Sequence, residues 1–347
     1  MTHRITTAAG AVGVSMLAAC TTPAAEAGRA TARPNESITP TETCAAESVA
    51  ATAVRTARDV VYATRDGQPL RFDVAWSEAG VPAPLVLLLH GGGWSGGTHR
   101  SLEGEMLALA RRGYTAATIE YRLTQAGRNV FPAAALDVRC ALRTLRARAG
   151  DYHAAPDRVA VMGYSAGGHL ASLLGVAHDV RALGAGECDI GGDDAPVQAV
   201  VSYAGPQDLR VPERYTREQA RIVTNFLGVW PGDDPAVASL ASPIVHAGAG
   251  DPPFLLVHGS RDDLVPVNHA RRMAATLRDA GTPATVLELR REGHGFVGFV
   301  ASRDATVRCT VDAFLSRWIG RSAPRTGARA GSRTAPPEPA QPISGTS

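Results

Sequence analysis

Short apolar runs alternate with stretches of helical spacing over most of the chain. Residues 85–90 and 254–258 are almost unbroken apolar runs, typical of strands buried on both faces of a parallel sheet. Residues 133–149 and 268–280 instead place apolar side chains at the spacing of amphipathic helices. This alternation predicts an α/β fold with a mostly parallel central sheet and helices on both faces. The predicted strands are 59–64, 70–77, 85–90, 115–121, 159–162, 197–203, 254–258 and 285–289, and the predicted helices are 102–112, 133–149, 166–178, 268–280 and 301–319.

The two ends of the chain differ in composition from this alternating part. Residues 1–19 have a basic start and an apolar stretch too short to span a membrane, typical of a secretory signal. The junction Leu17-Ala18-Ala19-Cys20 resembles the lipobox of bacterial lipoproteins, which implies acylation of Cys20 and anchorage to a membrane surface. The alternative is an ordinary signal peptide followed by a chance cysteine. We predict a flexible tether over 20–56, a catalytic domain over 57–320 and a disordered tail over 321–347.

Charge and cysteine content exclude several classes of protein. The net charge of +2 provides no field that would favour nucleic acid, so we expect no nucleic-acid partner. No apolar run approaches the roughly 20 residues of a membrane-spanning helix. An exported chain can form disulfides, and four cysteines besides Cys20 allow two of them in three connectivities. Because their spacing includes no Cys-x-x-Cys pair, we expect no zinc site. These four are Cys44, Cys140, Cys188 and Cys309.

The strongest chemical signal is the segment Gly163-Tyr164-Ser165-Ala166-Gly167. It follows a predicted strand and opens a predicted helix, which is where a nucleophile stands clear of the sheet on a tight turn. The alternative is that Ser165 only caps its helix. We predict that Ser165 is a nucleophile.

A second segment, His90-Gly91-Gly92-Gly93-Trp94, follows the third predicted strand. Successive glycines let the backbone approach a substrate and turn its N–H groups inward. Two such donors, together with the amide of Ala166, would hold the negative oxygen of a tetrahedral intermediate. Alone, the glycines would predict only a flexible loop. His90 is expected to brace this loop.

A serine nucleophile needs a base, and the base needs an acid that orients it. His294 lies on a glycine-flanked loop after the last predicted strand, at the carboxyl edge of the sheet, and is the base we predict. Asp262 and Asp263 follow the preceding strand, and either could reach the imidazole. His258, at the end of that strand, is expected to form a wall of the site.

These motifs together resemble the α/β-hydrolase family, in particular its esterase branches with a His-Gly-Gly-Gly-Trp motif. The segment from His258-Gly259 through Asp262 to Val265-Pro266 is similar to the acetyl-xylan and feruloyl esterase group. The Asp-Pro-x-x-Asp motif of hormone-sensitive-lipase-like carboxylesterases is absent at this place. The resemblance implies that Asp262 rather than Asp263 is the acid. It also implies that the oxyanion amides are those of Gly92, Gly93 and Ala166.

We therefore expect a serine carboxylesterase of the cell envelope, without metal or cofactor, that hydrolyses short-chain acyl esters. Acetylated or feruloylated carbohydrate is one candidate substrate, and Trp94, Phe226 and Trp230 are candidate walls of its pocket. Three alternatives stay open: a surface-anchored binding protein on a hydrolase scaffold, an amidase or formamidase, and a peptidase of the same fold.

Overall fold

The computed structural model describes residues 53–78, 81–184, 188, 190, 195–210, 215–295 and 305–321. The predicted signal segment, Cys20, Cys44, nearly all of the predicted tether and all but the first residue of the predicted tail lie outside the described residues. The strands are β1 Val54–Arg65, β2 Gln68–Ser77, β3 Ala83–Leu89, β4 Thr115–Ile119, β5 Ala154–Tyr164, β6 Ala199–Tyr203, β7 Phe254–Gly259 and β8 Ala284–Leu289. The helices are α1 Glu103–Arg111, α2 Ala133–Ala147, α3 Ala166–Val176, α4 Arg217–Leu227, α5 Pro235–Leu240, α6 Pro243–His246, α7 Asn268–Asp279 and α8 Ala305–Trp318.

The eight strands form one sheet in the order β1-β2-β4-β3-β5-β6-β7-β8. The strand β2 pairs antiparallel with β1 and β4, whereas every pairing from β4 to β8 is parallel. The parallel strands therefore all end at the same edge of the sheet. The segments that follow β3, β5, β7 and β8 meet there, and they are the four segments that carry the predicted catalytic and oxyanion residues.

Strand β3 shows why the sequences of the central strands are nearly unbroken apolar runs. Leu85, Leu87 and Leu89 belong to one buried cluster, and Val86 and Leu88 belong to another on the opposite face. The first cluster includes side chains of α2, α3 and α7, and the second includes side chains of α1 and α8. Because helices cover both faces of the sheet, neither face of β3 needs polar residues.

The observed strands differ from the predicted strands mainly at their ends. The predicted strand 159–162 is the centre of the longer β5, because residues from Ala154 onward pair with β3. A disulfide joins Cys140 to Cys188, with 5.3 Å between their Cα atoms. Cys309 is disulfide-bonded as well. Within the described part of the chain, each helix is too short or too polar to cross a membrane.

Candidate active site

Ser165 lies on a sharp turn between β5 and α3. Its backbone has a φ of 54° and a ψ of −117°, a conformation that is strained for a residue with a side chain. A Cβ at Gly163 would lie 2.1 Å from the carbonyl oxygen of Gly167. A Cβ at Gly167 would lie 2.1 Å from the carbonyl oxygen of Leu89, at the end of β3. Only glycine at these two positions allows so tight a turn.

Three of the predicted site residues form one chain of hydrogen bonds. The Oγ of Ser165 lies 2.9 Å from Nε2 of His294. The Nδ1 of the same imidazole lies 2.7 Å from Oδ2 of Asp262. If Nδ1 donates to the carboxylate, Nε2 is left to accept the serine proton, as a general base requires.

Asp262, rather than Asp263, contacts the imidazole. Its Oδ1 accepts the backbone N–H groups of Leu264 at 3.0 Å and Val265 at 2.7 Å, whereas Asp263 is exposed. Burial by itself would raise the pKa of Asp262. Hydrogen bonds from His258, His294 and the Val265 amide outweigh burial and hold this pKa well below its usual range. The carboxylate is therefore ionised at neutral pH.

Two further side chains support the hydrogen-bonded chain, although the sequence did not identify these contacts. The buried Nε2 of His258 lies 2.6 Å from the Val265 carbonyl oxygen and 3.3 Å from Oδ2 of Asp262. The hydroxyl of Tyr164 donates a hydrogen bond to the carbonyl oxygen of His294. Burial is the main reason that the pKa of Tyr164 rises to about 12. The only sequence signal for these roles was position, at or near the carboxyl end of a strand.

The glycine loop after β3 lies against the nucleophile turn. A Cβ at Gly91 would lie 3.3 Å from the Cβ of Ser165. Gly92 and Gly93 have φ values of 117° and 58°, which favour glycine. The carbonyl oxygen of Gly92 accepts hydrogen bonds from the backbone N–H groups of Ser95 and Gly96, which fixes the conformation of the loop.

His90 holds the start of this loop. Its Nδ1 lies 2.7 Å from the Gly91 carbonyl oxygen, and its ring stacks on Tyr121 with 4.3 Å between the centroids. Burial lowers the pKa of His90 to about 4, so the ring is neutral at pH 7. A neutral, stacked imidazole suits a structural role better than proton transfer.

A cavity of about 320 Å³ opens beside the serine. Gly93, Ser165 and Ala166 are among the residues that line it. Most of its wall is apolar and consists of Trp94, Pro206, Leu209, Ile222, Val223, Leu264, Val265 and Pro266. Its remaining, more polar wall consists of Tyr215, Gln219, Asn268, His269 and Arg272.

Only one of the three predicted aromatic walls lines this cavity. Trp94 does so, although one face of its ring is covered by Phe226, with 4.1 Å between the centroids. Phe226 itself is fully buried behind Trp94, and Trp230 is half-buried outside the cavity lining. The prediction for these two residues is wrong.

The course of α4 explains the error. The first turns of the helix present Gln219, Ile222 and Val223 to the cavity, and Phe226 lies one turn further along the same stripe. There the helix has passed the cavity, so Phe226 packs among Trp94, His169 and Phe131. Trp230 follows the glycine that ends α4 and is not part of this stripe.

Known proteins resemble the chain in sequence over most of its described part. Residues 73–277 match the BD-FAE family. Esterase LipQ of Mycobacterium tuberculosis is 33% identical over 254 residues, which cover 72% of this chain and 58% of LipQ. Esterase LipC of the same organism is 34% identical over 244 residues, covering 68% of this chain and 59% of LipC. The chain thus matches less than two thirds of the length of either relative.

Solved structures resemble the chain in fold. A thermophilic esterase of Thermogutta terrifontis superposes with a TM-score of 0.63 at 24% identity, over 81% of this chain and 96% of that one. A truncated carbohydrate esterase from gut microbiota superposes with a TM-score of 0.61 at 22% identity. The superposition covers 76% of this chain and 93% of that one. At this identity the likeness supports a common fold and not a common substrate.

Proposed function

As the chain belongs to the BD-FAE family and has the α/β-hydrolase fold, we propose that it is a serine carboxylesterase. The observation that carries the proposal is the continuous chain of hydrogen bonds from Ser165 through His294 to Asp262. The similarity to two proteins named esterases supports the same reaction class.

The first half of the reaction forms an acyl-enzyme. His294 Nε2 accepts the hydroxyl proton of Ser165 while Oγ attacks the carbonyl carbon of the ester. The carbonyl oxygen becomes an oxyanion, which the amides of Gly92, Gly93 and Ala166 stabilise. When the tetrahedral intermediate collapses, the bond to the alcohol oxygen breaks. The imidazolium gives its proton to that oxygen, and the alcohol leaves.

The second half returns the enzyme to its starting state. Water loses a proton to His294 Nε2 and attacks the acyl carbon. The bond to Ser165 Oγ then breaks, and the imidazolium returns the proton to the serine, so the free acid leaves. The ionised Asp262 stabilises the imidazolium in both halves, because its carboxylate accepts a hydrogen bond from the Nδ1–H group of His294.

The size and chemistry of the cavity support short acyl groups. Its volume of about 320 Å³ is at the lower end of the range for small-molecule pockets. The apolar part of its wall suits the methylenes of an acyl chain. Acetylated or feruloylated carbohydrate remains one candidate substrate class, in which the sugar would be the alcohol.

The test compares the full chain with its Ser165→Ala variant on p-nitrophenyl acetate, butyrate and laurate. The exposed Ser101, outside the cavity lining, provides the matched control Ser101→Ala. We expect hydrolysis that favours the short esters, a loss of about 10⁶-fold in kcat for Ser165→Ala, and wild-type rates for the control. Normal turnover by Ser165→Ala would refute the assignment. A folded wild-type protein that left every ester intact would also refute it, and amides would be tested next.

We also propose that the protein is exported and anchored to a membrane surface through Cys20. The lipobox-like junction supports this proposal, as does the disulfide between Cys140 and Cys188, because disulfides persist in oxidising compartments. Wild-type protein expressed in a bacterial host should enter the detergent phase of a Triton X-114 extract, whereas Cys20→Ser should stay in the aqueous phase. Equal partitioning of the two proteins would contradict the anchor.

A further inference from the structure

The polar wall of the cavity comes largely from the start of helix α7. His269 and Arg272 lie three residues apart on this helix and line the same cavity as Ser165. The side-chain amide of Gln219, on helix α4, already forms hydrogen bonds within the protein. Its nitrogen donates to the carbonyl oxygens of Asp263 and Leu264, and its oxygen accepts the amide of Thr216. His269 and Arg272 are two of the other polar side chains on this wall, beside Tyr215 and Asn268.

Arg272 shares one carboxylate with a second arginine. Asp208, which is 1% exposed, receives two hydrogen bonds from the guanidinium of Arg210, at 2.8 and 3.1 Å. Arg272 contributes only one N–H, at 2.8 Å from Oδ2 of the same carboxylate. Burial opposes the ionisation of Asp208, but the hydrogen bonds from Arg210 outweigh it and hold its pKa below the usual value. One negative charge therefore faces two positive charges.

The excess positive charge borders the cavity. Arg210 and Asp208 are outside the cavity lining, whereas Arg272 belongs to it, and the side chain of Arg272 is 47% exposed. Among the described residues that line the cavity, none is acidic. A guanidinium carries five N–H groups, so one that donates a single hydrogen bond to Asp208 has others that can donate to a ligand. An anion in the cavity would thus meet an arginine and no carboxylate among the lining residues.

His269 presents a second donor on the same wall. Its Nδ1 accepts the backbone N–H groups of Gln207 at 3.1 Å and Asp208 at 3.3 Å. Burial lowers the pKa of His269 to about 4, so the ring is neutral at pH 7. A neutral imidazole that accepts at Nδ1 carries its proton on Nε2, which can only donate. The first turn of α7 adds the positive end of a twelve-residue helix.

We propose that this wall binds a free carboxylate of the substrate, so that the enzyme prefers half-esters of short dicarboxylic acids. The inference rests on the proposed esterase function and names the substrate class of the same site. The acyl group is attached to Ser165 from the end of the first half of the reaction to the end of the second. In this proposal the acyl chain occupies the cavity that Ser165 lines. Its methylenes contact the apolar wall, and its terminal carboxylate binds Arg272 and His269.

The experiment compares two esters that differ in one charge. The 4-nitrophenyl monoester of glutaric acid carries the carboxylate, and its methyl ester is the neutral counterpart. Both release 4-nitrophenol, and the rate measured with Ser165→Ala corrects for spontaneous hydrolysis. The readout is the ratio of kcat/KM for the anionic ester to that for the neutral ester.

The variants separate a local contact from a general effect of charge. Arg272→Met removes the charge and keeps the apolar stem, and Arg210 remains to pair with Asp208. Arg272→Lys keeps the charge. Arg271→Met removes a neighbouring charge that pairs with Glu288 outside the cavity lining.

We expect the wild-type ratio to exceed one and Arg272→Met to lower it about tenfold, mainly through a higher KM for the anionic ester. Arg272→Lys should keep most of the preference, Arg271→Met should keep all of it, and 0.5 M NaCl should reduce it. Hydrolysis of both esters with a ratio that Arg272→Met leaves unchanged would overturn this inference and leave the esterase proposal standing. If wild-type protein hydrolyses neither ester, the esterase proposal itself fails.

Discussion

Replacing Gly167 by alanine should force apart two segments of backbone that meet at the active site. The added Cβ would lie 2.1 Å from the carbonyl oxygen of Leu89 and 2.5 Å from that of His90. The first distance is 1.3 Å below the 3.4 Å at which ordinary contact begins. Inserting a methyl group into a packed site costs roughly 1–3 kcal/mol. Both obstacles here are backbone atoms that cannot rotate away, so we expect a loss of about 3 kcal/mol in the free energy of unfolding.

The same displacement should reduce catalysis beyond its effect on stability. Leu89 and His90 lie directly before the glycine loop, and Gly167 lies two residues after Ser165. A shift of about 1 Å between reacting groups can cost about 10²-fold in rate. We therefore expect kcat/KM for p-nitrophenyl acetate to fall about 100-fold in folded Gly167→Ala. Urea unfolding followed by circular dichroism measures the stability, and initial rates measured below the unfolding transition give the activity.

Gly104 provides the matched control. It lies on the exposed side of α1, and a Cβ built on it would meet nothing within 4 Å. Gly104→Ala should leave the rate unchanged and stabilise the protein by up to about 1 kcal/mol, because alanine favours helices more than glycine does. If Gly167→Ala matched the wild type in both stability and rate, our account of the tight turn would be wrong.

Three other changes test separate parts of the structure. Asp262→Asn should lower kcat for p-nitrophenyl acetate by about 10⁴-fold, because an amide at this position favours the wrong imidazole tautomer; a loss below tenfold would contradict this. Burial is the main reason that the pKa of Asp251 rises from 3.8 to about 6, so its ionisation destabilises the folded state as pH increases from 4 to 6. That rise corresponds to about 3 kcal/mol, which solvent screening of this half-buried group reduces to roughly 1 kcal/mol. Asp251→Asn should therefore raise the urea midpoint at pH 7.5 but not at pH 4, and equal effects at both pH values would refute the argument. The double variant Cys140→Ala/Cys188→Ala should lose about 3–4 kcal/mol of stability, because the disulfide closes a loop between residues 48 apart; an unchanged urea midpoint would contradict this.

The periodicity of apolar residues was enough to predict the class of fold. The run at 85–90 could be assigned to a doubly covered strand because both of its faces are apolar, and the eight-stranded, mostly parallel sheet confirms the prediction. The order of motifs along the chain also predicted which segments meet at the carboxyl edge. Ser165 and His294 could be selected because each occupies a distinctive position at the end of a strand. Their catalytic roles stay predictions until the variants are measured.

Other features depend on how separate segments pack, which local patterns do not specify. From the residues alone, Asp262 and Asp263 were equivalent candidates, and only the turn after β7 places one of them against the imidazole.

Helical spacing likewise shows which residues share a face but not what that face meets. Phe226, a predicted pocket wall, lies in the core. The shared carboxylate of Asp208 brings together Arg210 and Arg272, which lie 62 residues apart in sequence. No local pattern contains such a pair. The order of the motifs was therefore enough to predict the candidate reacting groups, whereas the charge and shape of the cavity around them depend on how distant segments pack.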